Sequence, residues 1–122
     1  MKVYAFDRDS TIDVNKGPVP LDWVKKLTKT EHEVWAIGNQ TLKTEANIPG
    51  IAEILERLGL DKDLSPSRRE RVDMLRQLFP DADEYIVVDD VDLSDMEGWT
   101  YYMPDEFVNK FREKIDCLGI DD

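Results

Sequence analysis

The residues that follow a short apolar segment near the start of the chain constrain the fold most strongly. Residues 3–6 have the composition of a buried β-strand, and Asp7 and Asp9 come directly after them. Because side chains alternate along an extended chain, both carboxylates would point the same way at the end of that strand. Carboxylates this close repel each other and need a cation, a shared proton or water. Mg²⁺ meets that need, since it prefers carboxylate oxygens, and the pattern predicts a magnesium site.

A second acidic cluster follows another apolar segment. Glu84–Val88 is rich in β-branched residues and is followed by Asp89 and Asp90, which indicates a second strand ending in carboxylates. In open α/β sheets, ligands bind beyond the carboxyl ends of the strands. An isolated strand-end aspartate is more often a helix cap or part of an Asx turn. Two such clusters in this order favour a ligand site instead.

Strand-like and helix-like patterns alternate along the rest of the chain. Apolar spacing predicts helices at 21–27, 51–58, 72–79 (after a start signal at 65–67) and 107–115, and apolar runs predict strands at 33–37 and 99–103. The alternation predicts an α/β fold with a doubly wound, Rossmann-like parallel sheet of four or five strands, flanked by helices. The fifth strand would lie near Leu64.

Length, hydropathy and charge narrow the class of protein. The 122 residues are enough for one domain, which we place at 1–122. We expect a soluble, cytoplasmic protein without a membrane span, because the sequence has no leader-like start and no apolar run near ~20 residues. The 27 acidic and 16 basic residues leave a net charge of −11. Such a field repels polyanions and argues against nucleic acid or an anionic membrane as a partner.

Two residue types that often carry chemistry occur once each. Cys117 is the only cysteine, which excludes an internal disulfide and a cysteine metal cluster. We interpret it as a buried residue that fills space on the last helix. His32 is the only histidine and precedes a predicted strand, so we interpret it as an exposed turn residue.

Together, the two acidic clusters resemble the motifs of the haloacid dehalogenase superfamily. Its first motif is an aspartate, any residue, a second aspartate, any residue, then threonine or valine. Its last motif is a small or acidic residue, an aspartate, four further residues and another acid. The matching residues are Asp7, Asp9 and Thr11 for the first motif and Asp89, Asp90 and Asp95 for the last. The resemblance covers essentially the whole chain.

The resemblance implies a Mg²⁺-dependent phosphomonoester hydrolase that acts through an aspartyl phosphate. Asp7 would be the nucleophile that attacks phosphorus. Asp9 would protonate the leaving oxygen and then deprotonate the hydrolytic water. Mg²⁺ would be held by Asp7, the backbone carbonyl of Asp9 and Asp90. Asp89 and Asp95 are further candidate residues of the site.

One position departs from the family pattern. The family has a serine or threonine at the end of its second strand, whereas this chain has Gly38 followed by Asn39. Phosphatases of the histidinol-phosphate and polynucleotide-end types have threonine, asparagine and glutamine there, so glycine replaces threonine. The backbone N–H groups of Gly38 and Asn39, or the Asn39 side chain, would donate to phosphate instead. Thr11 is a further candidate phosphate ligand.

The family also has a basic residue ahead of its last motif. Arg68 is our first choice for this phosphate ligand and Arg69 the second, with Lys26 and Lys43 as remaining alternatives. An arginine can bind phosphate through two donors, whereas a lysine supplies a point charge. The opposing interpretation is an exposed helix face held by salt bridges.

The connections that would hold a cap domain are short. Family members often insert a cap after the first motif or after the second strand, but here only residues 12–20 and 41–49 are available. The resemblance therefore implies a capless protein with an open site. Such a site would suit a macromolecular phosphorylated substrate, a homo-oligomer in which a neighbour covers the site, or small substrates that bind weakly.

Two other functions remain open from the residues. Gly38 and the short connections favour a binding or regulatory module that keeps the fold and metal site but is catalytically weak or inactive. A response-regulator receiver domain is also small and doubly wound. It is disfavoured, because its phosphorylated aspartate follows the third strand and a lysine follows the fifth, unlike the arrangement in this chain.

Overall fold

The computed structural model describes residues 1–114, which contain a four-stranded, all-parallel sheet. The strands are β1 (Lys2–Phe6), β2 (Glu33–Ala36), β3 (Glu84–Val88) and β4 (Thr100–Tyr102), in the spatial order β2-β1-β3-β4. The predicted α/β class and the four predicted strands are confirmed. The two strands that end in aspartates, β1 and β3, are direct neighbours.

The fifth strand that the sequence predicted near Leu64 is wrong. Residues 59–67 form turns and irregular chain, and Leu64 is 47% exposed. Its neighbours in sequence are mostly charged or polar. One apolar residue among such neighbours offers no buried face to a sheet, so the segment stays at the surface.

Five α-helices flank the sheet within residues 1–114. They are α1 (Leu21–Thr28), α2 (Lys43–Ala46), α3 (Ile51–Leu58), α4 (Arg68–Leu78) and α5 (Pro104–Phe111). The part of the last predicted helix that includes Ile115 lies outside the described residues, as does Cys117. None of these helices is long and apolar enough to cross a bilayer.

Defined residues end α3 and begin α4, and the predicted start signal at 65–67 is confirmed. α3 is followed by Gly59 at φ 69°, a left-handed conformation that glycine adopts without a Cβ clash. The Ser67 hydroxyl accepts a hydrogen bond from the Glu70 N–H, and the Glu70 carboxylate accepts one from the Ser67 N–H. This capping box fixes the start of α4, and Arg68 is therefore its first residue.

Alternating side chains of the sheet enter two separate cores. Tyr4 and Phe6 of β1 pack with residues of α1 and α5, whereas Val3 and Ala5 pack with residues of α3 and α4. All four of these β1 side chains are fully buried. Burial of both faces explains why the strands are nearly continuous apolar segments and makes β1 the centre of the fold.

Short, ordered segments follow β1 and β2. Between β1 and α1 the chain forms a 3₁₀ turn at Asp13–Asn15, and the fully buried Ile12 and Val19 pair as an isolated bridge. The Ala36 N–H donates to the Pro49 carbonyl at 2.9 Å, which places the segment before α3 along the outer edge of β2. Both segments border the carboxyl edge of the sheet.

The prediction that His32 is an exposed turn residue is wrong. His32 is 5% exposed, and its Nδ1 accepts a hydrogen bond from the Lys2 N–H at 2.9 Å. Its ring also meets the Tyr4 ring edge-on. Because β2 pairs directly with β1, the residue that precedes β2 lies against the first residues of β1. The local sequence contains no signal of this burial.

Candidate active site

The candidate site begins where β1 and β3 end. Phe6 and Val88 are paired in register as the last residues of the two strands. Asp7 and Asp89 follow them, and the Asp7 N–H donates to the Val88 carbonyl at 3.0 Å. The pairing of neighbouring parallel strands therefore brings the two acidic clusters of the sequence to one point on the carboxyl edge of the sheet.

Three carboxylates form what we call the acidic triad, namely Asp7, Asp89 and Asp90. Each offers one oxygen, and these oxygens lie within 4.8 Å of one another. Asp7 is 4% exposed and Asp89 is fully buried, whereas Asp90 is exposed. Within residues 1–114 they form the one group of three or more carboxylates close enough to share a cation. Carboxylate oxygens suit hard divalent ions such as Mg²⁺.

Arg68 lies beside the triad from the first residue of α4. Its Nη1 donates to both carboxylate oxygens of Asp89, at 2.9 and 2.7 Å, and lies 3.6 Å from Oδ1 of Asp7. The Asp89 carboxylate also accepts from the Val91 N–H. One guanidinium thus partly offsets three nearby carboxylates, two of which are buried.

The electrostatics of the triad show that it lacks positive charge. Burial, then a hydrogen bond with Asp90 and repulsion by Asp89, raise the pKa of Asp7 from 3.8 to about 7. Burial also raises the pKa of Asp89, although the Val91 N–H and Arg68 oppose the shift. Burial opposes ionisation of Asp90, but hydrogen bonds from Asp7 and Asp89 outweigh it and lower the pKa of Asp90. The triad therefore retains a proton near neutral pH.

Two further predicted residues contact Asp7. The Thr11 hydroxyl is fully buried and donates to Oδ2 of Asp7 at 3.4 Å. Gly38 lies on the other side of the carboxylate. A Cβ on Gly38 would be 2.1 Å from Oδ1 of Asp7, so the position has room for Asp7 only because it is glycine. The departure from the family pattern therefore has a steric reason in this chain.

Arg71 is a residue of the site that the sequence analysis missed. Its Nη1 donates to the Ile37 carbonyl and to Oδ1 of Asn39, both at 3.0 Å. Its Nε donates to the Pro66 carbonyl at 3.1 Å. Arg71 follows Arg68 by three residues, a spacing that places both on one helix face. That spacing is the signal that could have identified it.

Three predicted residues lie apart from the triad. The Asp9 carboxylate is 43% exposed and accepts hydrogen bonds from Arg8 at 2.9 Å and from Asn15 at 2.8 Å. Asp95 pairs with Arg69 in an exposed salt bridge at 3.0 Å. Arg68 therefore reaches the triad, whereas Arg69 does not.

Open grooves reach the site from two sides. A groove of about 320 Å³ is lined by Gly38, Asn39 and the start of α3. Two grooves of about 470 and 490 Å³ are both lined by Asp90 and Met103. Bulky substituents on a ligand bound at the triad would therefore have space beside Gly38 or beside Asp90.

The chain matches no protein-family model, no curated protein and no solved structure.

Proposed function

We propose that the protein is a Mg²⁺-dependent phosphomonoester hydrolase of the haloacid dehalogenase type, with a doubly wound, Rossmann-like fold and no cap domain. The observation that carries the proposal is the acidic triad beside Arg68 at the carboxyl ends of β1 and β3. A site that pairs buried carboxylates with one arginine suits a divalent cation and a phosphoryl group together.

The residues present fit a magnesium ion. Asp7 and Asp90 would hold it together with the backbone carbonyl of Asp9, and Asp89 lies close enough to be a further ligand. The raised pKa values of Asp7 and Asp89 indicate that the triad accommodates added positive charge. When bound, Mg²⁺ would reduce the repulsion between the Asp7 carboxylate and the phosphate dianion.

The proposed reaction has two displacements at phosphorus. An oxygen of Asp7 attacks phosphorus, the bond from phosphorus to the leaving oxygen breaks, and Asp9 gives its proton to that oxygen. Water then attacks the aspartyl phosphate and passes a proton to Asp9. This second displacement releases inorganic phosphate and restores the Asp7 carboxylate. Thr11, which donates to Asp7, holds the nucleophile in place.

The phosphoryl oxygens would be bound by Arg68 and by the segment after β2. Arg68 lies 3.6 Å from Asp7, so a phosphoryl group next to Asp7 would lie within its reach. The backbone N–H groups of Gly38 and Asn39 would supply donors in place of a hydroxyl. The open grooves at Gly38 and Asp90 support a phosphorylated substrate larger than phosphate, including a macromolecule, or a homo-oligomer that covers the site. A cytoplasmic location would provide the Mg²⁺ that the reaction needs.

A second candidate function is a catalytically weak or inactive binding or regulatory module. The observation that favours it is the position of Asp9, whose carboxylate is held by Arg8 and Asn15 instead of lying in the triad. These hydrogen bonds keep the Asp9 carboxylate turned away from the place where a leaving group bound at the triad would need a proton. Such a module would bind Mg²⁺ through the triad without turnover.

Phosphate release tests the two functions. Purified protein would be incubated with Mg²⁺ and p-nitrophenyl phosphate or acetyl phosphate, with and without EDTA. The Asp7→Asn variant removes the nucleophile, and Asp81→Asn, at an exposed position, is the matched control for loss of one charge. Release that needs both Mg²⁺ and Asp7 supports the hydrolase. No release, combined with a Mg²⁺-dependent rise in melting temperature that Asp90→Asn abolishes, supports the binding module.

A further inference from the structure

Arg71 joins two segments that border the site. Through Nη1 it binds the Ile37 carbonyl and the Asn39 side chain, and through Nε it binds the Pro66 carbonyl just before α4. A guanidinium can satisfy three acceptors because it carries five N–H donors in a fixed planar arrangement. Arg71 therefore holds the segment after β2 against the start of the helix that carries Arg68.

The contact with Ile37 has a specific geometric consequence. The Ile37 carbonyl and the Gly38 N–H belong to one planar, trans peptide unit, so fixing the carbonyl also fixes the direction of that N–H. Glycine has the greatest backbone freedom of any residue, and Gly38 has no side chain that could limit the orientation of this peptide unit. The hydrogen bond from Arg71 supplies that limit, and its bond to Asn39 restrains the next residue.

The surroundings of Arg71 disfavour the positive charge of its guanidinium. Burial and the neighbouring Arg68 lower the pKa of the Arg71 guanidinium below its ordinary value. A half-buried arginine beside another arginine needs well-placed acceptors to be stable. The three oxygens that Arg71 binds, two of them backbone carbonyls, supply those acceptors.

We propose that Arg71 is a positioning residue, which orients the Ile37–Gly38 peptide unit and Asn39 so that their N–H groups bind a phosphoryl group in place of a side-chain hydroxyl. The inference rests on the proposed function, because it concerns the same phosphate-binding segment. It does not require turnover, since a phosphate anion bound beside Asp7 would use the same donors.

The test compares three variants on the same helix. Arg71→Met removes every donor but keeps much of the apolar stem, and Arg71→Lys keeps a single charged donor group. Arg76→Met is the matched control, because Nη1 of Arg76 also donates to a backbone carbonyl, that of Glu97, at 2.9 Å. Four quantities are measured for each protein, namely kcat and KM with p-nitrophenyl phosphate, the Kd of inorganic phosphate in Mg²⁺, and the Kd of Mg²⁺ alone.

We expect Arg71→Met to raise both KM and the Kd of phosphate about tenfold or more, as for loss of an oriented donor. The Kd of Mg²⁺ should not rise more than about twofold, because the oxygens that Arg71 binds are not those of the triad. Loss of a positive charge that acts on Asp7 favours a bound cation. Arg71→Lys should recover part of the phosphate affinity, and Arg76→Met should match the wild type in all four quantities.

A lower melting temperature with unchanged phosphate affinity would overturn the proposal, since Arg71 would then be structural only. If Arg71→Met does not fold, the same comparison is made with Arg71→Lys. A wild-type protein that binds phosphate without hydrolysing the ester contradicts the proposed hydrolase but still decides the role of Arg71 through the affinities. A wild-type protein that does not bind phosphate contradicts both proposals.

Discussion

Replacing Asp7 with asparagine should stabilise the metal-free protein at high pH. Asp7 is almost completely buried next to Asp89 and Asp90, and its pKa rises from 3.8 to about 7. In the unfolded chain this carboxyl ionises near 3.8, whereas in the folded protein it keeps its proton until the pH approaches 7. Its contribution to stability is therefore complete below about pH 4 and is lost as the pH rises through 7.

The size of the effect follows from the two pKa values. The difference between 3.8 and about 7 corresponds to an upper bound of about 4 kcal/mol at pH 8, at about 1.4 kcal/mol for each tenfold change in proton affinity. Because the triad shares its proton, part of this cost remains with the other two carboxylates. We therefore expect Asp7→Asn to raise the free energy of unfolding by about 1–3 kcal/mol at pH 8, and by less at pH 5.

Urea denaturation in EDTA at several pH values between 5 and 8.5 measures this difference. Asp81→Asn, at an exposed position, controls for the change in net charge and should shift stability by at most about 0.5 kcal/mol at each pH. An Asp7→Asn protein that is less stable than the wild type at pH 8, or whose gain is the same at pH 5 and pH 8, would refute the reasoning. Either result would mean that ionising Asp7 beside Asp89 and Asp90 does not destabilise the folded protein.

Three further predictions concern neighbouring features. Gly38→Ala places a Cβ 2.1 Å from Oδ1 of Asp7, so Asp7 must move. We expect the free energy of unfolding to fall by about 1–3 kcal/mol and the rate of phosphate release to fall about 10²-fold. Unchanged values in urea denaturation and in the release assay would contradict this prediction. Ser67→Ala removes the cap of α4 and should cost about 1 kcal/mol, whereas Ser65→Ala should cost much less, as measured by thermal unfolding. Mg²⁺ at 100 times the wild-type Kd should raise the free energy of unfolding of the wild type by about 2.7 kcal/mol. An equal rise in Asp90→Asn at the same Mg²⁺ concentration would exclude Asp90 as a ligand.

The layout of the fold was predictable because it depends on local patterns. Apolar runs that end in aspartates located β1 and β3, and a 3.6-residue apolar spacing located α3. The capping signal before Arg68 located the start of α4. Parallel strands bring their carboxyl ends to one edge, and the direct pairing of β1 with β3 then places Asp7 beside Asp89.

Contacts between elements were not predictable in this way. The rotation of α4 against the sheet decides that Arg68 reaches Asp7 and that Arg71 reaches Ile37, whereas Arg69 pairs with Asp95 at the surface. The sequence ranked Arg68 first by position, and the three-residue spacing places Arg71 on the same helix face. Neither pattern shows that Arg71 reaches the Ile37 carbonyl. A helix repeats every 3.6 residues, so a rotation of a fraction of a turn changes which arginine faces the site.

Tertiary packing also decided the burial and the contacts of individual residues. The clash that a Cβ at Gly38 would make exists only because β2 places that residue against Asp7. His32 is buried because the pairing of β2 with β1 brings it to the Lys2 N–H. Periodicity reports which side of its own element a residue occupies, whereas burial, ion pairing and proton affinity depend on distances between elements that are far apart in the chain. The sequence by itself therefore determined where the site lies, and only the tertiary structure decided which side chains complete it.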